Sequence, residues 1–370
     1  MKRIRVLIVD GAPLTRQMTR GLLDRDPEFE VVGAVASGRL ALANLSDLNP
    51  DVVLLDVTLP DREGLKTLAA VRDAHPTLPV IMFSQLTERG SQTTLDSLEL
   101  GANSYVTKPA SNTELERCVQ GELTSKIKTL FAATSRESKA PAGLSVGQTV
   151  AGQALVKNSS AEASPPLQTP PFREAHHAAQ IVAIATSTGG PNALSSLLLS
   201  LPPSFATPIV IVQHMASGFT TTLAESLRRQ TGRNVREVET VQPLNAAPVW
   251  IARGGRHMVV TRSGVTTQVA PNDDPPENSC CPSANVLFRS VVDVFGSRCL
   301  AVVLTGMGYD GLAGCRAVRQ AGGTILVQDE ASSIAWGMPG KVATAGLADE
   351  VLPLTDLAQE ICRRTTHTRR

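Results

Sequence analysis

Three polar side chains in the C-terminal half of the chain, Ser187, His214 and Asp310, each come at the end of a different apolar run. The carboxyl ends of parallel strands share one crevice, so these three side chains are expected to meet there. Serine is a weak nucleophile unless a base removes its proton and a third group orients that base. The pattern therefore predicts acyl transfer, with Ser187 as nucleophile, His214 as base and Asp310 as orienting acid. The backbone N–H groups of Thr188 and Met307 are the predicted oxyanion donors.

Each member of this triad also has a structural explanation. Ser187 can simply cap a helix, His214 can be a buried histidine with a hydrogen bond, and Asp310 can form a turn with Gly311. The order Ser, His, Asp differs from that of the α/β-hydrolases, and no G-x-S-x-G elbow is present. The Ser-Thr-Gly-Gly turn at a helix start can also bind a nucleotide or phosphate, although no G-x-G-x-x-G occurs. From the residues alone, an esterase and a nucleotide- or phosphate-binding α/β output module both remain open.

A second group of polar residues, in the N-terminal part, predicts a phosphoryl-accepting pocket. Asp10, Asp56, Ser84 and Lys108 follow apolar runs that alternate with helical segments. The carboxylates of Asp10 and Asp56, with the backbone carbonyl of Thr58, suit Mg²⁺, which prefers oxygen ligands. Asp56 is the predicted nucleophile for the phosphoryl group, and Ser84 and Lys108 are predicted to contact its oxygens. The alternative for any one aspartate is a turn or a helix cap.

The elements that must position these residues alternate between strand and helix, which predicts two parallel-sheet α/β units. Helices are expected at residues such as 15–23 and 93–100. The predicted strands are Ile4–Val9, Val31–Ala36, Val52–Leu55, Val80–Phe83, Ser104–Val106, Ile181–Ala185, Pro208–Val212, Val249–Ala252, Leu300–Leu304 and Thr324–Val327.

The chain divides into three predicted parts. Residues 1–125 form an N-terminal five-stranded parallel domain, and residues 178–362 form a larger, doubly wound, mainly parallel-sheet domain of the Rossmann-like class. Residues 126–177 are predicted to be a flexible linker, because alanine, serine, proline and glutamine dominate there and few large apolar side chains are available to bury.

Composition narrows the class of protein. The formal net charge of the 370 residues is +1, and this argues against nucleic-acid binding, which favours a basic domain. No apolar stretch approaches the roughly 20 residues of a membrane span, and no signal peptide is evident. The six cysteines show no C-x-x-C spacing, so neither a zinc site nor a disulfide framework is expected. We expect a cytoplasmic, monomeric protein without direct membrane insertion.

The N-terminal part, residues 2–123, resembles the receiver domain of two-component response regulators. The resemblance lies in Asp56-Val57-Thr58-Leu59-Pro60, in Ser84 and in Lys108-Pro109. It implies a flavodoxin-like fold, a histidine kinase as phosphodonor and phosphorylation at Asp56 with Mg²⁺. Receivers usually carry two adjacent acids after the first strand, whereas here Gly11 follows Asp10. One missing carboxylate should weaken metal binding, and phosphorylation is expected to be slow or to need high Mg²⁺.

The C-terminal part, residues 180–355, resembles the chemotaxis-type protein-glutamate methylesterases (the CheB family). The matching segments are Ser187-Thr188-Gly189-Gly190, Gln213-His214-Met215, Gly255-Arg256-His257, Pro282-Ser283, Leu304-Thr305-Gly306-Met307-Gly308-Tyr309-Asp310-Gly311, Gln328-Asp329-Glu330 and Gly337-Met338-Pro339.

This resemblance implies hydrolysis of glutamate methyl esters on the cytoplasmic helices of methylated chemoreceptors, and deamidation of receptor glutamines. It assigns the nucleophile to Ser187, the base to His214 and the acid to Asp310, with no cofactor for the ester hydrolysis. It also implies that the unphosphorylated receiver covers the active site. Chemotaxis-like signalling outside motility uses the same chemistry and stays open as an alternative pathway.

Overall fold

The structure is a computed structural model that describes residues 2–59, 63–85, 88–109, 111–137 and 178–366. Most of the predicted linker, residues 138–177, lies outside the described residues.

The N-terminal unit is a five-stranded parallel sheet with strand order β2-β1-β3-β4-β5, which confirms the predicted receiver-type fold. Its central strands are apolar on both faces, as expected for a parallel sheet covered by helices on both sides. The strands are β1 (Ile4–Val9), β2 (Phe29–Val35), β3 (Val52–Leu55), β4 (Val80–Gln85) and β5 (Ser104–Lys108). The helices are α1 (Pro13–Leu23), α2 (Gly38–Leu48), α3 (Glu63–Ala74), α4 (Glu88–Glu99), α5 (Asn112–Cys118) and α6 (Thr124–Glu137), with one π-helical turn, Val119–Leu123, between the last two.

The C-terminal unit contains a seven-stranded sheet in which every neighbouring pair is parallel, in the order β15-β14-β13-β6-β7-β10-β8. Its strands are β6 (Ile181–Thr186), β7 (Ile209–Gln213), β8 (Val235–Val238), β10 (Val249–Ala252), β13 (Cys299–Val303), β14 (Thr324–Gln328) and β15 (Glu350–Leu352). Its helices are α7 (Gly190–Ser200), α8 (Phe219–Thr231), α9 (Ala284–Phe295), α10 (Leu312–Gln320), α11 (Met338–Thr344) and α12 (Leu354–Thr365).

A small antiparallel sheet, which was not predicted from the sequence, adds to this unit. It consists of β9 (Gln242–Pro243), β11 (His257–Ser263) and β12 (Thr266–Asn272), in the order β11-β12-β9. The hairpin between β11 and β12 turns at Gly264, whose φ of +59° is a left-handed conformation that glycine adopts without strain. The hairpin residues alternate between buried and exposed only weakly, so the sequence carries little strand signal there.

All ten predicted strands are present, with ends that differ by no more than two residues. The predicted start of the linker at residue 126 is wrong, because residues 126–137 continue helix α6. Ile127 and Leu130 on this helix are buried in the receiver core. Their helical spacing places both on the core-facing side, so α6 is an integral part of the N-terminal unit.

The two units contact each other through α4 and β5 on the receiver side and α7 and α8 on the other. Tyr105 of β5 packs against Phe219 of α8, with ring centroids 4.9 Å apart. Glu99 of α4 accepts hydrogen bonds from Ser226 and from Gln230, the latter at 2.6 Å. Both helices of the C-terminal unit begin beside the carboxyl edge of its sheet, where the triad residues are expected.

Candidate active site and phosphoryl pocket

Ser187 lies directly after β6, at the carboxyl edge of the seven-stranded sheet. Its backbone N–H donates to the Thr305 carbonyl at 3.0 Å, and its carbonyl accepts from the Gln213 side chain at 2.9 Å. The turn into α7 requires Gly189, whose φ is +79°. Across the site, Gly306 must also lack a side chain, since a Cβ there would lie 2.9 Å from the Ser187 Cβ. Ser187 is thus held by backbone bonds while the residue stays half-buried.

His214 follows β7, the strand next to β6, and is therefore a neighbour of Ser187. Thr186 pairs with Gln213 in the parallel register, so Ser187 and His214 each lie one residue beyond a paired position. The His214 backbone N–H donates to the Thr186 carbonyl at 3.0 Å. Its ring Nε2 lies 2.8 Å from Asp310 Oδ2, so the predicted base and acid are in direct contact.

Asp310 is buried and receives four hydrogen-bond contacts. Besides His214, Oδ2 accepts from the Ala284 N–H at 2.6 Å. Oδ1 accepts from Ser283 Oγ at 2.7 Å and from the Asn285 N–H at 3.3 Å. These donors form the beginning of helix α9, so the carboxylate also benefits from the positive end of that helix dipole. The acid is consequently fixed in place and stabilised in its ionised form.

The electrostatics of the pair agree with this arrangement. Burial lowers the pKa of His214. The hydrogen bonds and charges of Asp310 and of the nearby Cys280 together outweigh burial, so the pKa rises to about 9. Burial raises the pKa of Asp310, but the His214 hydrogen bond and the donors from Ala284 and Ser283 outweigh it, and the net shift is downward. Each partner therefore favours the charged form of the other.

The two predicted oxyanion donors lie beside Ser187. Thr188 is the next residue, and Met307 follows Gly306, whose position abuts Ser187. Within the described part of the chain, the backbone N–H groups of Thr188 and Met307 have no hydrogen-bond acceptor. Both donors are thus available to a negatively charged oxygen near Ser187.

In the receiver, three of the predicted pocket residues are in direct contact. Lys108 Nζ lies 2.7 Å from Asp10 Oδ2 and 2.6 Å from Asp56 Oδ2, and all three side chains are buried. Asp56 Oδ1 accepts from the N–H and the hydroxyl of Thr58, both at 2.8 Å. The Ser84 hydroxyl is buried and has no partner among the described residues. Ser84 and Lys108 lie within β4 and β5 rather than after them, which leaves both at the same sheet edge.

The donor set of this pocket fits a hard cation. Two carboxylates and a carbonyl supply only oxygen, and Mg²⁺ completes its coordination with water. The buried Ser84 hydroxyl, which has no partner in the described part of the chain, further indicates that the pocket is built to hold a polar group. With Gly11 next to Asp10, the pocket has one carboxylate fewer than receivers usually offer.

Several residues that support the site were not among the sequence predictions. Ser283 holds Asp310, and His257 Nδ1 in turn accepts from the Ser283 N–H at 3.1 Å while Nε2 lies 3.1 Å from the Pro275 carbonyl. His257 is therefore a buried residue that orients the loop before helix α9. Cys280 lies close to His214, and no spacing signal in the sequence indicated this. Only Ser283 carried a usable signal, as a helix-capping serine before an apolar helix.

Comparison with known proteins shows the family to which the chain belongs. Residues 182–361 match the CheB methylesterase family, and residues 6–120 match the response regulator receiver domain. A protein-glutamate methylesterase/protein-glutamine glutaminase of Trichodesmium erythraeum is 43% identical over 98% of this chain and 99% of its own length. The chain belongs to this family. The family expected from the motifs is therefore confirmed.

Two further matches describe other members of the protein-glutamate methylesterase family. A protein of the same name from a Nocardioides species is 43% identical over the whole of this chain and 97% of its own. The crystal structure of the Thermotoga maritima CheB methylesterase catalytic domain is 32% identical, with a TM-score of 0.49, over 50% of this chain and 99% of that one. No helix in the described part of the chain is long and apolar enough to cross a membrane.

Proposed function

We propose that this protein is a phosphorylation-regulated hydrolase that removes methyl esters from glutamate side chains of chemoreceptors and deamidates their glutamines. The observation that carries the proposal is the contact between His214 and Asp310 at 2.8 Å, one strand away from Ser187, in a chain of this family. A serine nucleophile requires this kind of base and orienting acid.

The reaction proceeds in two halves on Ser187. Because His214 Nε2 contacts Asp310, Nδ1 is the ring nitrogen left to take the Ser187 proton as Oγ attacks the ester carbonyl. The N–H groups of Thr188 and Met307 stabilise the oxyanion of the tetrahedral intermediate. His214 then protonates the leaving methoxide, which departs as methanol and leaves a glutamyl ester on Ser187.

Water completes the cycle. His214 removes a proton from a water molecule that attacks the glutamyl ester, and the Ser187 oxygen leaves with that proton. The product is a free glutamate side chain. With a glutamine substrate, the first leaving group is ammonia instead of methanol, and the second half is the same.

A nucleotide- or phosphate-binding role for the Ser-Thr-Gly-Gly turn is not favoured. A Cβ at Gly189 would lie 2.9 Å from the side chain of Ile334, and one at Gly190 would lie 1.9 Å from the Gln213 side-chain oxygen. The space next to these glycines is therefore filled by protein rather than open to a phosphate. The glycines serve close packing of the turn.

Regulation comes from the receiver. Asp10, Asp56 and the Thr58 carbonyl would hold Mg²⁺, which would neutralise charge on an incoming phosphoryl group. Asp56 accepts that group from a histidine kinase, and Ser84 and Lys108 bind its oxygens. In the unphosphorylated state, α4 and β5 contact α7 and α8, and Ile334, which lies against Gly189, packs on the receiver core. Phosphorylation weakens this contact and opens the path of a cytoplasmic receptor helix to Ser187.

The test is methanol release from a methylated receptor fragment by the full-length protein with a phosphodonor and Mg²⁺. Ser187→Ala is expected to abolish release. Ser200→Ala changes an exposed serine at the end of helix α7, which follows Ser187, and is expected to retain it. Release by Ser187→Ala at the rate of the unmodified protein would overturn the proposal.

A further inference from the structure

A cysteine stands next to the proposed base and acid. The ligand atoms of His214, Cys280 and Asp310, one nitrogen, one sulfur and one oxygen, all lie within 4.8 Å of one another. Among the described residues, no other group of three or more histidine, cysteine or acidic side chains is clustered in this way. The ester hydrolysis proposed above assigns no role to the Cys280 sulfur.

The backbone around Cys280 holds its side chain in this position. Glu277 and Cys280 exchange two backbone hydrogen bonds, of 3.1 and 2.9 Å, across a tight turn. The two residues inside the turn, Asn278 and Ser279, both have left-handed φ angles, of 52° and 62°. The Glu277 carboxylate is in turn paired with Arg289 of helix α9. Cys280 is therefore anchored to the same helix whose beginning holds Asp310.

The donor set and its dimensions suit a borderline-soft divalent cation. Zinc binds thiolate sulfur at about 2.3 Å and imidazole nitrogen or carboxylate oxygen at about 2.0–2.2 Å. Around a tetrahedral ion, such ligand atoms are roughly 3.4–3.6 Å apart, which follows from those bond lengths. The contact between His214 and Asp310, now 2.8 Å, would open by about 0.6 Å to admit the ion. Small movements of three side chains are thus sufficient.

The surroundings favour binding as well. Ser283 Oγ and the Asn285 N–H already hold the far oxygen of Asp310, which is the supporting arrangement that orients a carboxylate ligand. The His214 side chain is 16% exposed, so an ion and its water can reach the ring in the full-length protein.

We propose that His214, Cys280 and Asp310 form a binding site for zinc or a similar thiolate-binding divalent cation, and that its occupation stops ester hydrolysis. On binding, the thiol loses its proton, and the ion replaces the proton shared between His214 and Asp310. The Nε2 lone pair is then bound to the ion, the proton of the neutral imidazole moves to Nδ1, and Nδ1 can no longer accept the Ser187 proton. The inhibitory part rests on the proposed function, whereas metal binding by these residues does not.

The test uses the full-length protein after removal of metals with a chelator. Cobalt(II) is the spectroscopic probe, since a cysteine ligand produces a thiolate-to-cobalt charge-transfer absorption that oxygen ligands do not. The receiver carboxylates of Asp10 and Asp56 contain no sulfur and so cannot produce this band. We expect the band in the unmodified protein and its displacement by zinc. The rate of methyl ester hydrolysis is measured against each variant's own metal-free rate. We expect this rate to fall as zinc is added, and we expect Mg²⁺ to have no effect on it at this site.

Two neighbouring thiols allow a matched comparison. Cys280→Ser is expected to lose the cobalt band and to need tenfold or more zinc for half-inhibition, with Cys280→Ala as a second variant. Cys281→Ser, which removes the adjacent thiol, is expected to keep both properties. Ser187→Ala is expected to keep the cobalt band without hydrolysing the ester, so this variant tests metal binding independently of esterase activity.

The proposal would be overturned by absence of the band in the unmodified protein or by its survival in Cys280→Ser. Equal zinc inhibition of Cys280→Ser and the unmodified protein would overturn the inhibitory part.

Discussion

Ser283 Oγ donates a hydrogen bond of 2.7 Å to Asp310 Oδ1, the carboxylate oxygen opposite the one that contacts His214. The same hydroxyl accepts from the Asn285 N–H at 3.2 Å and so caps helix α9. One serine thereby links the start of a helix to the proposed orienting acid. Its loss should affect both stability and catalysis.

Ser283→Ala is predicted to lower the free energy of unfolding by about 1 kcal/mol, the usual cost of a lost helix cap. It is also predicted to reduce kcat roughly tenfold, because a hydrogen bond to a charged group is lost next to the base. Chemical denaturation and steady-state hydrolysis measure the two effects. Ser37→Ala removes the cap of helix α2 in the receiver, which is far in the chain from Asp310, and it should affect stability alone. An unchanged kcat in Ser283→Ala would show that Asp310 does not depend on this contact.

The pH dependence of hydrolysis follows from the raised pKa of His214. The base acts only in its neutral form, and Asp310 stabilises the charged form, with a pKa of about 9 for His214. The value of kcat/KM is therefore predicted to rise with pH through a midpoint above 6.5, the ordinary pKa of histidine. Asp310→Asn should move this midpoint down and lower kcat by about 10⁴, the loss seen when an orienting acid is neutralised. A midpoint at or below 6.5 in the unmodified protein would contradict the assigned pairing.

The receiver pocket has Gly11 where a second carboxylate is usual, so its affinity for Mg²⁺ should be low. Gly11→Asp is predicted to reduce by roughly tenfold the Mg²⁺ concentration needed for half-maximal phosphorylation by a small-molecule phosphodonor, since one more oxygen ligand is provided. Gly21→Asp, which adds the same charge on α1 where no other atom lies within 4 Å of the new Cβ, is the control. Equal Mg²⁺ requirements in the unmodified protein and Gly11→Asp would refute this account of Gly11.

Glu99 connects the receiver to helix α8 through Ser226 and Gln230. Glu99→Ala is predicted to raise methyl ester hydrolysis without a phosphodonor about fivefold, which corresponds to roughly 1 kcal/mol for a partly exposed polar contact. Glu116→Ala removes an acid on α5 whose partner is Arg25 within the receiver, and it should leave that rate unchanged. If both variants behaved alike, the α4 contact would have no part in repression.

The position of Ser187, His214 and Asp310 at one edge of the sheet could be predicted because each follows an apolar run, and parallel strands end at one edge. The contacts that refine the site could not be predicted in the same way. Ser283 contacts Asp310 from the loop before α9, and Cys280 lies near His214 after a turn with two left-handed residues. Such loop conformations depend on tertiary contacts rather than on periodicity.

The boundary between helix α6 and the linker also depends on tertiary contacts. Ile127 and Leu130 have helical spacing, but the polar residues between them resemble the linker composition. Only the burial of Ile127 and Leu130 against the receiver sheet distinguishes the end of the helix from the linker. The antiparallel hairpin 257–272 was missed because its partly exposed strands lack strict alternation.

The most direct test of the account is covalent labelling of the full-length protein with an organophosphonate, followed by mass spectrometry of the labelled peptide. We predict a single adduct on Ser187 that forms faster with a phosphodonor and at least a hundredfold more slowly in His214→Ala, since the base activates the hydroxyl. Labelling of another residue, or equal labelling of Ser187 in His214→Ala, would contradict the account.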